Sequence, residues 1–176
     1  MRLALIGPSA PLRGGIAQYH DRLARALATS GHVVQRLSFR RLYPRLLFPG
    51  RTQYESVSPA PRTDAATGAG AAALSLLTPA EVLLDSIGPR SWAAVARRAA
   101  SADAAIIEWW HPFFAPALAT ITALLRRRGV PTIFICHNLE PHEPVPAGAS
   151  LAALALRRAA GFVVQSAADA ARLRIA

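Results

Sequence analysis

Short apolar runs alternate with stretches of helical spacing along most of this chain, and that alternation limits its fold more than any other feature. The runs are Leu3–Ile6, His32–Phe39, Ala104–Trp110, Val130–Cys136 and Gly161–Gln165. Strands buried on both faces read as such runs, and parallel strands need crossover helices between them. The expectation is therefore an α/β fold: a Rossmann-like parallel sheet with helices on both faces, in one domain over residues 1–176. After the first run, Pro8, Pro11, Gly14 and Gly15 make a break. Ile16, Tyr19, Leu23, Ala26 and Leu27 then recur at helical spacing and predict the apolar face of an amphipathic helix. Trp92, Val95, Ala96 and Ala99 predict the same within Arg90–Ala102. Pro116 and Gly129 bracket a third helix, with proline at the start and glycine past the end. Ser150–Ala160 reads as a fourth, and Ser166 to Asp169 resembles a capping box opening a fifth.

Between the second run and Arg90 the pattern loosens. Gln53–Ala73 is rich in Ser, Pro, Ala, Gly and Thr and reads as a flexible loop, unusually long for a compact domain. A weak strand is expected near Leu74–Leu77 or Glu81–Leu84. The N-terminal apolar run is too short for a secretory signal. The window Ala104–Leu125 is apolar enough to resemble a membrane span, but Glu108, His111, Pro112 and Pro116 break it into strand, loop and helix. The single cysteine, Cys136, excludes an intrachain disulfide and reads as a buried, inert thiol.

The formal charge is +10, and no lysine contributes to it. Arginine forks suit phosphate, so acidic ligands and anionic membrane surfaces fit this chain. Nucleic acid is not expected, because no recognised motif for it is present. Arg40, Arg41 and Arg45 are interleaved with Leu42, Tyr43, Leu46, Leu47 and Phe48. This patch reads either as a peripheral contact to an anionic bilayer or as a solvated loop.

In an open parallel sheet, ligands bind beyond the carboxyl ends of the strands. Three strand ends here carry polar residues: Gly14–Gly15, then Glu108 to Pro112, then His137 to Glu143. The glycine pair either lets backbone N–H groups face an anion or only shapes a tight turn. His137 is a candidate proton donor or acceptor, or a loop-bonded histidine. Trp109 and Trp110 face opposite ways along a strand, so one can be core while the other offers a stacking platform; both can also be packed. Glu108, His111, His137, His142 and Glu143 lack the spacing of a zinc site, and no metal is expected. The dinucleotide fingerprint, the Walker pattern and the Gly-x-Ser-x-Gly elbow are all absent.

The segments RGGIAQYHDRLARALATSGHVV, SFRRLYPRLLFPGR, LLDSIGPRSW, IIEWWHPFFAPAL, FICHNLEPHE and GFVVQSAAD resemble the N-terminal half of family 4 glycosyltransferases of the GT-B fold. The resemblance implies two Rossmann-like domains across a cleft, this one binding the acceptor and a second, absent here, binding a nucleotide-sugar donor. It implies that Gly14 and Gly15 approach the donor phosphates and that His137 is the cleft histidine beside the transferred sugar. Asn138 is placed with them on the donor side, and Glu108, Trp110, His111 and Glu140 on the acceptor side. A hexose-type sugar, a glycan or lipid-linked acceptor, a retaining reaction without metal or other cofactor, and a cytoplasmic location with peripheral contact to the inner face of the membrane are the further expectations. A chain lacking the donor domain is expected to be inactive alone. A non-enzymatic binding module and a metal-assisted hydrolase are the competing readings.

Overall fold

The computed structural model describes residues 1–44, 52–54, 77–138 and 145–173. Six strands form one sheet: β1 (Arg2–Ile6), β2 (Val33–Arg41), β3 (Glu81–Asp85), β4 (Ala104–Trp109), β5 (Thr132–Cys136) and β6 (Gly161–Val164). Their order is β3-β2-β1-β4-β5-β6, and every pairing is parallel. Helices α1 (Gly15–Thr29), α2 (Pro89–Arg98), α3 (Ala115–Arg126), α4 (Gly148–Leu156) and α5 (Ala167–Leu173) complete the α/β, Rossmann-like architecture.

The alternation of side chains along the strands builds two apolar layers. Ala4 and Ile6 of β1, Ala105, Ile107 and Trp109 of β4, and Phe134 and Cys136 of β5 share the larger core with α2, α3 and α4. Leu5 and Val34 face the other way and pack with Ala24 and Ala28 of α1. The window Ala104–Leu125 resolves into β4, a short 3-10 turn at Pro112–Phe114 and α3. Among the described residues no helix is long and apolar enough to cross a membrane.

Glycines close two helices as their positions predict. Gly31 (φ 83°) and Gly129 (φ 75°) are left-handed, and His32 and Val130 donate back to the carbonyls of Leu27 and Leu125. Ser166 Oγ accepts from the Asp169 amide at 3.0 Å and donates to the Asp169 carboxylate at 2.7 Å, a reciprocal cap with Asp in place of Glu.

Helix α1 differs from its sequence reading. It buries Ala17, His20, Ala24 and Ala28, while Ile16, Tyr19, Leu23 and Leu27 are half-buried and Ala26 is exposed. The close approach of α1 to the sheet favours small residues on the inner stripe and leaves the larger ones at its flanks. Strand β2 runs two residues beyond Phe39, because Arg40 and Arg41 pair with Asp85 at the end of β3. Of the two weak strand positions, Glu81–Asp85 forms β3, and Leu77 makes only an isolated bridge to Val34. Arg45–Phe48 of the basic patch, and residues 55–73 of the expected loop, lie outside the described residues.

Candidate functional site

The sheet order reverses direction between β1 and β4, which opens the crevice expected at such a switch point. Two groups of residues stand at that edge, one on each side of the sheet.

Odd-numbered β4 residues enter the larger core, so Glu108 comes out on the α1 face. There it meets His20, projected from the buried stripe of α1. His137, the first residue past β5, arrives on the same face, and its ring meets Tyr19 edge-on (centroids 4.8 Å apart, 87° between planes). Glu108 Oε1 lies 3.5 Å from His20 Nδ1 and 4.0 Å from His137 Nε2. The side chains of Glu108 and His20 are fully buried, and that of His137 is 9% exposed. These separations are charge contacts rather than well-formed hydrogen bonds. Among the described residues both Glu108 oxygens, both His20 nitrogens and His137 Nε2 are buried without a hydrogen-bond partner. Burial raises the Glu108 carboxyl above its ordinary value, against the opposing pull of His20. Burial lowers the His137 imidazole below its ordinary value.

Gly7, just past β1, makes room for this cluster. A Cβ there would lie 2.5 Å from Glu108 Oε2 and 2.6 Å from His20 Nδ1.

On the other side, a cavity of about 500 Å³ lies between the β1–α1 turn and the ends of β2 and β4. Gly14, Gly15 and Arg13 form one wall, and Tyr43, Gln53 and Trp110 form another. Trp110 Nε1 donates to Tyr43 Oη at 3.2 Å, and its ring stacks at a tilt on Phe114, with centroids 4.4 Å apart. The Gln53 side chain accepts from the Tyr43 amide at 2.9 Å and donates to the Tyr43 carbonyl at 2.8 Å. The Gln53 carbonyl also accepts from the Arg13 amide at 2.9 Å. Residues 52–54 are thereby tied to both walls.

Gly14 precedes α1 with φ 123° and ψ 163°, a conformation available in practice to glycine alone. A Cβ at Gly14 or Gly15 would meet nothing within 4 Å, so this turn borders open space. No acidic side chain occupies the first turn of α1, which leaves its free N–H groups open to an anion. Asp21 holds the turn from below. Its carboxylate accepts from Ser9 Oγ at 2.5 Å, the Ala10 amide at 3.1 Å and Arg36 at 3.0 Å.

Of the residues singled out in the sequence, Gly14, Gly15 and Trp110 line one cavity together. Glu108 and His137 meet each other instead, beneath the α1 side of the edge. The tryptophan pair does not divide by strand alternation: Trp109 is buried in the larger core, and Trp110, one residue past the end of β4, is half-buried against the same core at the cavity. His111 Nδ1 accepts from the Phe113 amide at 3.1 Å and so caps the 3-10 turn, and burial lowers its proton affinity. Asn138 is half-buried, while Glu140, His142 and Glu143 lie outside the described residues. Among the described residues no group of three or more His, Cys, Asp or Glu could hold a metal ion. Cys136 is buried, and its thiol is pushed up to about 12, chiefly by burial, as expected of an inert thiol.

Sequence reasoning missed His20 and Gln53. A histidine three and four residues from alanines on a helix signals a polar group on a buried stripe, but the stripe itself was masked by its small residues. Nothing local marks Gln53.

The sequence model of the glycosyl transferase 4-like domain matches residues 14–175. No curated protein matches the chain. The match covers nearly all of the sequence and falls on a six-stranded parallel α/β fold, and the chain therefore belongs to the glycosyl transferase 4-like family.

Proposed function

We propose that this chain is the acceptor-binding half of a retaining, nucleotide-sugar-dependent glycosyltransferase of the GT-B fold. It hands a hexose-type sugar to a glycan or lipid-linked acceptor. The observation that carries this reading is the cavity at the switch point, which combines two chemistries a sugar transfer needs. Trp110 and Tyr43 offer aromatic faces to a sugar ring. Gly14, Gly15 and the start of α1 offer backbone N–H groups to a phosphate, with no side chain in the way. Its volume of about 500 Å³ suits a small-molecule ligand. His137, which meets Tyr19 of α1 and does not line this cavity, is in this reading the residue that contacts the transferred sugar.

In this reading the donor nucleotide is held by a second domain, so the test supplies one. The chain is reconstituted with a candidate donor-binding half, and transfer from a nucleotide-sugar is followed alongside thermal melts. Gly15→Val places a branched side chain in the open space at the turn and raises KM for the donor. His137→Ala lowers kcat by about 10²–10⁴-fold, the usual contribution of a positioned acid–base or hydrogen-bonding group, while the melt changes little. Transfer at the unmutated rate by His137→Ala would remove His137 from the reaction.

A further inference from the structure

His137 has two ring nitrogens, and the structure gives them different surroundings. Gln165 Nε2, which can only donate, lies 3.1 Å from Nδ1 at the exposed side of the ring. Nδ1 therefore accepts, and the ring proton belongs on Nε2. Nε2 is buried and faces Glu108 Oε1 at 4.0 Å. At that separation an ionised carboxylate favours an N–H dipole on the nitrogen beside it and disfavours a lone pair there, through charge and without a formed hydrogen bond. The carboxyl group is itself confined. His20 lies 3.5 Å from Oε1, and the backbone at Gly7 comes so close that an added Cβ would stand 2.5 Å from Oε2.

We propose that Glu108 is a positioning residue that holds His137 in its Nε2–H tautomer, so that Nδ1 accepts a hydrogen bond from a carbohydrate hydroxyl at the place Gln165 fills in this structure. The proposal rests on the transferase reading only for the identity of that hydroxyl. It separates the two residues by role: His137 touches the substrate and Glu108 acts through His137. It also states which partner the site selects. A nitrogen kept as an acceptor takes a hydroxyl donor and rejects a bare phosphate oxygen, which has no proton to offer.

The test is nitrogen-15 NMR of the histidine side chains in the whole chain, at a pH where His137 is neutral. The unmutated chain and Gln165→Ala both show His137 as Nε2–H, because Glu108 holds it without help from Gln165. Adding Glu108→Met to Gln165→Ala gives a mixture of the two tautomers. A mixture already in Gln165→Ala, or an unchanged tautomer in the double variant, overturns the proposal. If the methionine variant does not fold, Glu108→Gln serves instead: loss of the carboxyl group moves the Nε2–H resonance, and an unmoved resonance overturns the proposal. Methyl glucoside is the hydroxyl probe. In Gln165→Ala it shifts the Nδ1 resonance, sulfate, an oxyanion with no proton at this pH, does not, and the absence of a glucoside shift overturns the assignment of Nδ1 to a substrate hydroxyl. The tautomer is read without any turnover. A reconstituted enzyme that fails to transfer sugar while the tautomer result stands counts against the transferase reading alone.

Discussion

At the scale of single residues, three glycines at the same sheet edge do three different things. At Gly7 the space a side chain would need is already filled by Glu108 and His20. At Gly14 the space is open, but the backbone has φ 123°. At Gly15 the space is open and the backbone is helical. One substitution therefore has three outcomes, read by urea melts of the three alanine variants. Gly7→Ala overpacks a buried charged cluster and costs about 1–3 kcal/mol. Gly14→Ala forces an unfavourable backbone region and costs about 1–3 kcal/mol. Gly15→Ala reduces the freedom of the unfolded chain and gains about 0.5–1 kcal/mol. Equal effects at Gly7 and Gly15 would show that the Glu108–His20 contact does not limit position 7. Only Gly15→Val, whose branches reach into the open space, is expected to act on the donor rather than on the fold.

At the scale of elements, helix α1 serves two sites at once. Its first turn borders the cavity, its buried stripe delivers His20 to Glu108, and its outward Tyr19 meets His137. Asp21 ties the preceding turn to this helix through Ser9 and Ala10, and Arg36 of β2 joins the same carboxylate. With Asp21→Ala those donors lose their acceptor in a partly buried place, which costs about 1–3 kcal/mol. Hydrogen exchange distinguishes a local from a general loss. The Ala10 amide loses protection while the β4 and β5 amides keep theirs relative to global stability. Uniform loss across the sheet would mean that Asp21 supports the whole fold instead of the turn.

For the whole molecule, buried ionisable groups set the dependence of stability on pH. Arg41 beside Asp85 holds that carboxyl below its ordinary value of 3.8. Its folded form binds fewer protons than the unfolded chain, so its contribution is present above 3.8 and is lost as pH falls through the lowered value. The imidazoles of His111 and His137 are lowered from 6.5 by burial, so their contribution is complete above 6.5 and is lost as pH falls below it. Glu108 works the other way. Its carboxyl is raised above 4.5, so the folded state keeps a proton that the unfolded state has lost, and its contribution fades as pH rises from 4.5 through the raised value. Glu108→Gln is therefore expected to be more stable relative to the unmutated chain at pH 7 than at pH 4. Thermal melts at the two values check this; the reverse order would mean that the two histidines stabilise the carboxylate more than burial disfavours it.

The sequence by itself determined the class of fold. Apolar runs and helical spacing are local signals, and they located β1, β4, β5 and β6, the capping of α5 and the glycine ends of α1 and α3. The family was legible for the same reason, since WWHPFFAP and CHNLEPHE are contiguous. Local signals also brought Gly14, Gly15, Glu108, Trp110 and His137 to one edge, because parallel strands all end there. Only the tertiary structure decided which of them meet. Glu108 leaves β4 on the α1 face and meets His137, whereas Trp110, one residue past the end of β4, packs with Phe39 and Phe114 beside the cavity that Gly14 lines, and neither outcome has meaning until the helices have been assigned to faces. His20 and Gln53 joined for the same reason. Each lies far in sequence from what it touches, His20 reaching Glu108 from α1 on the face they share and Gln53 bridging Arg13 and Tyr43, and no periodicity along the chain records a contact made through folding.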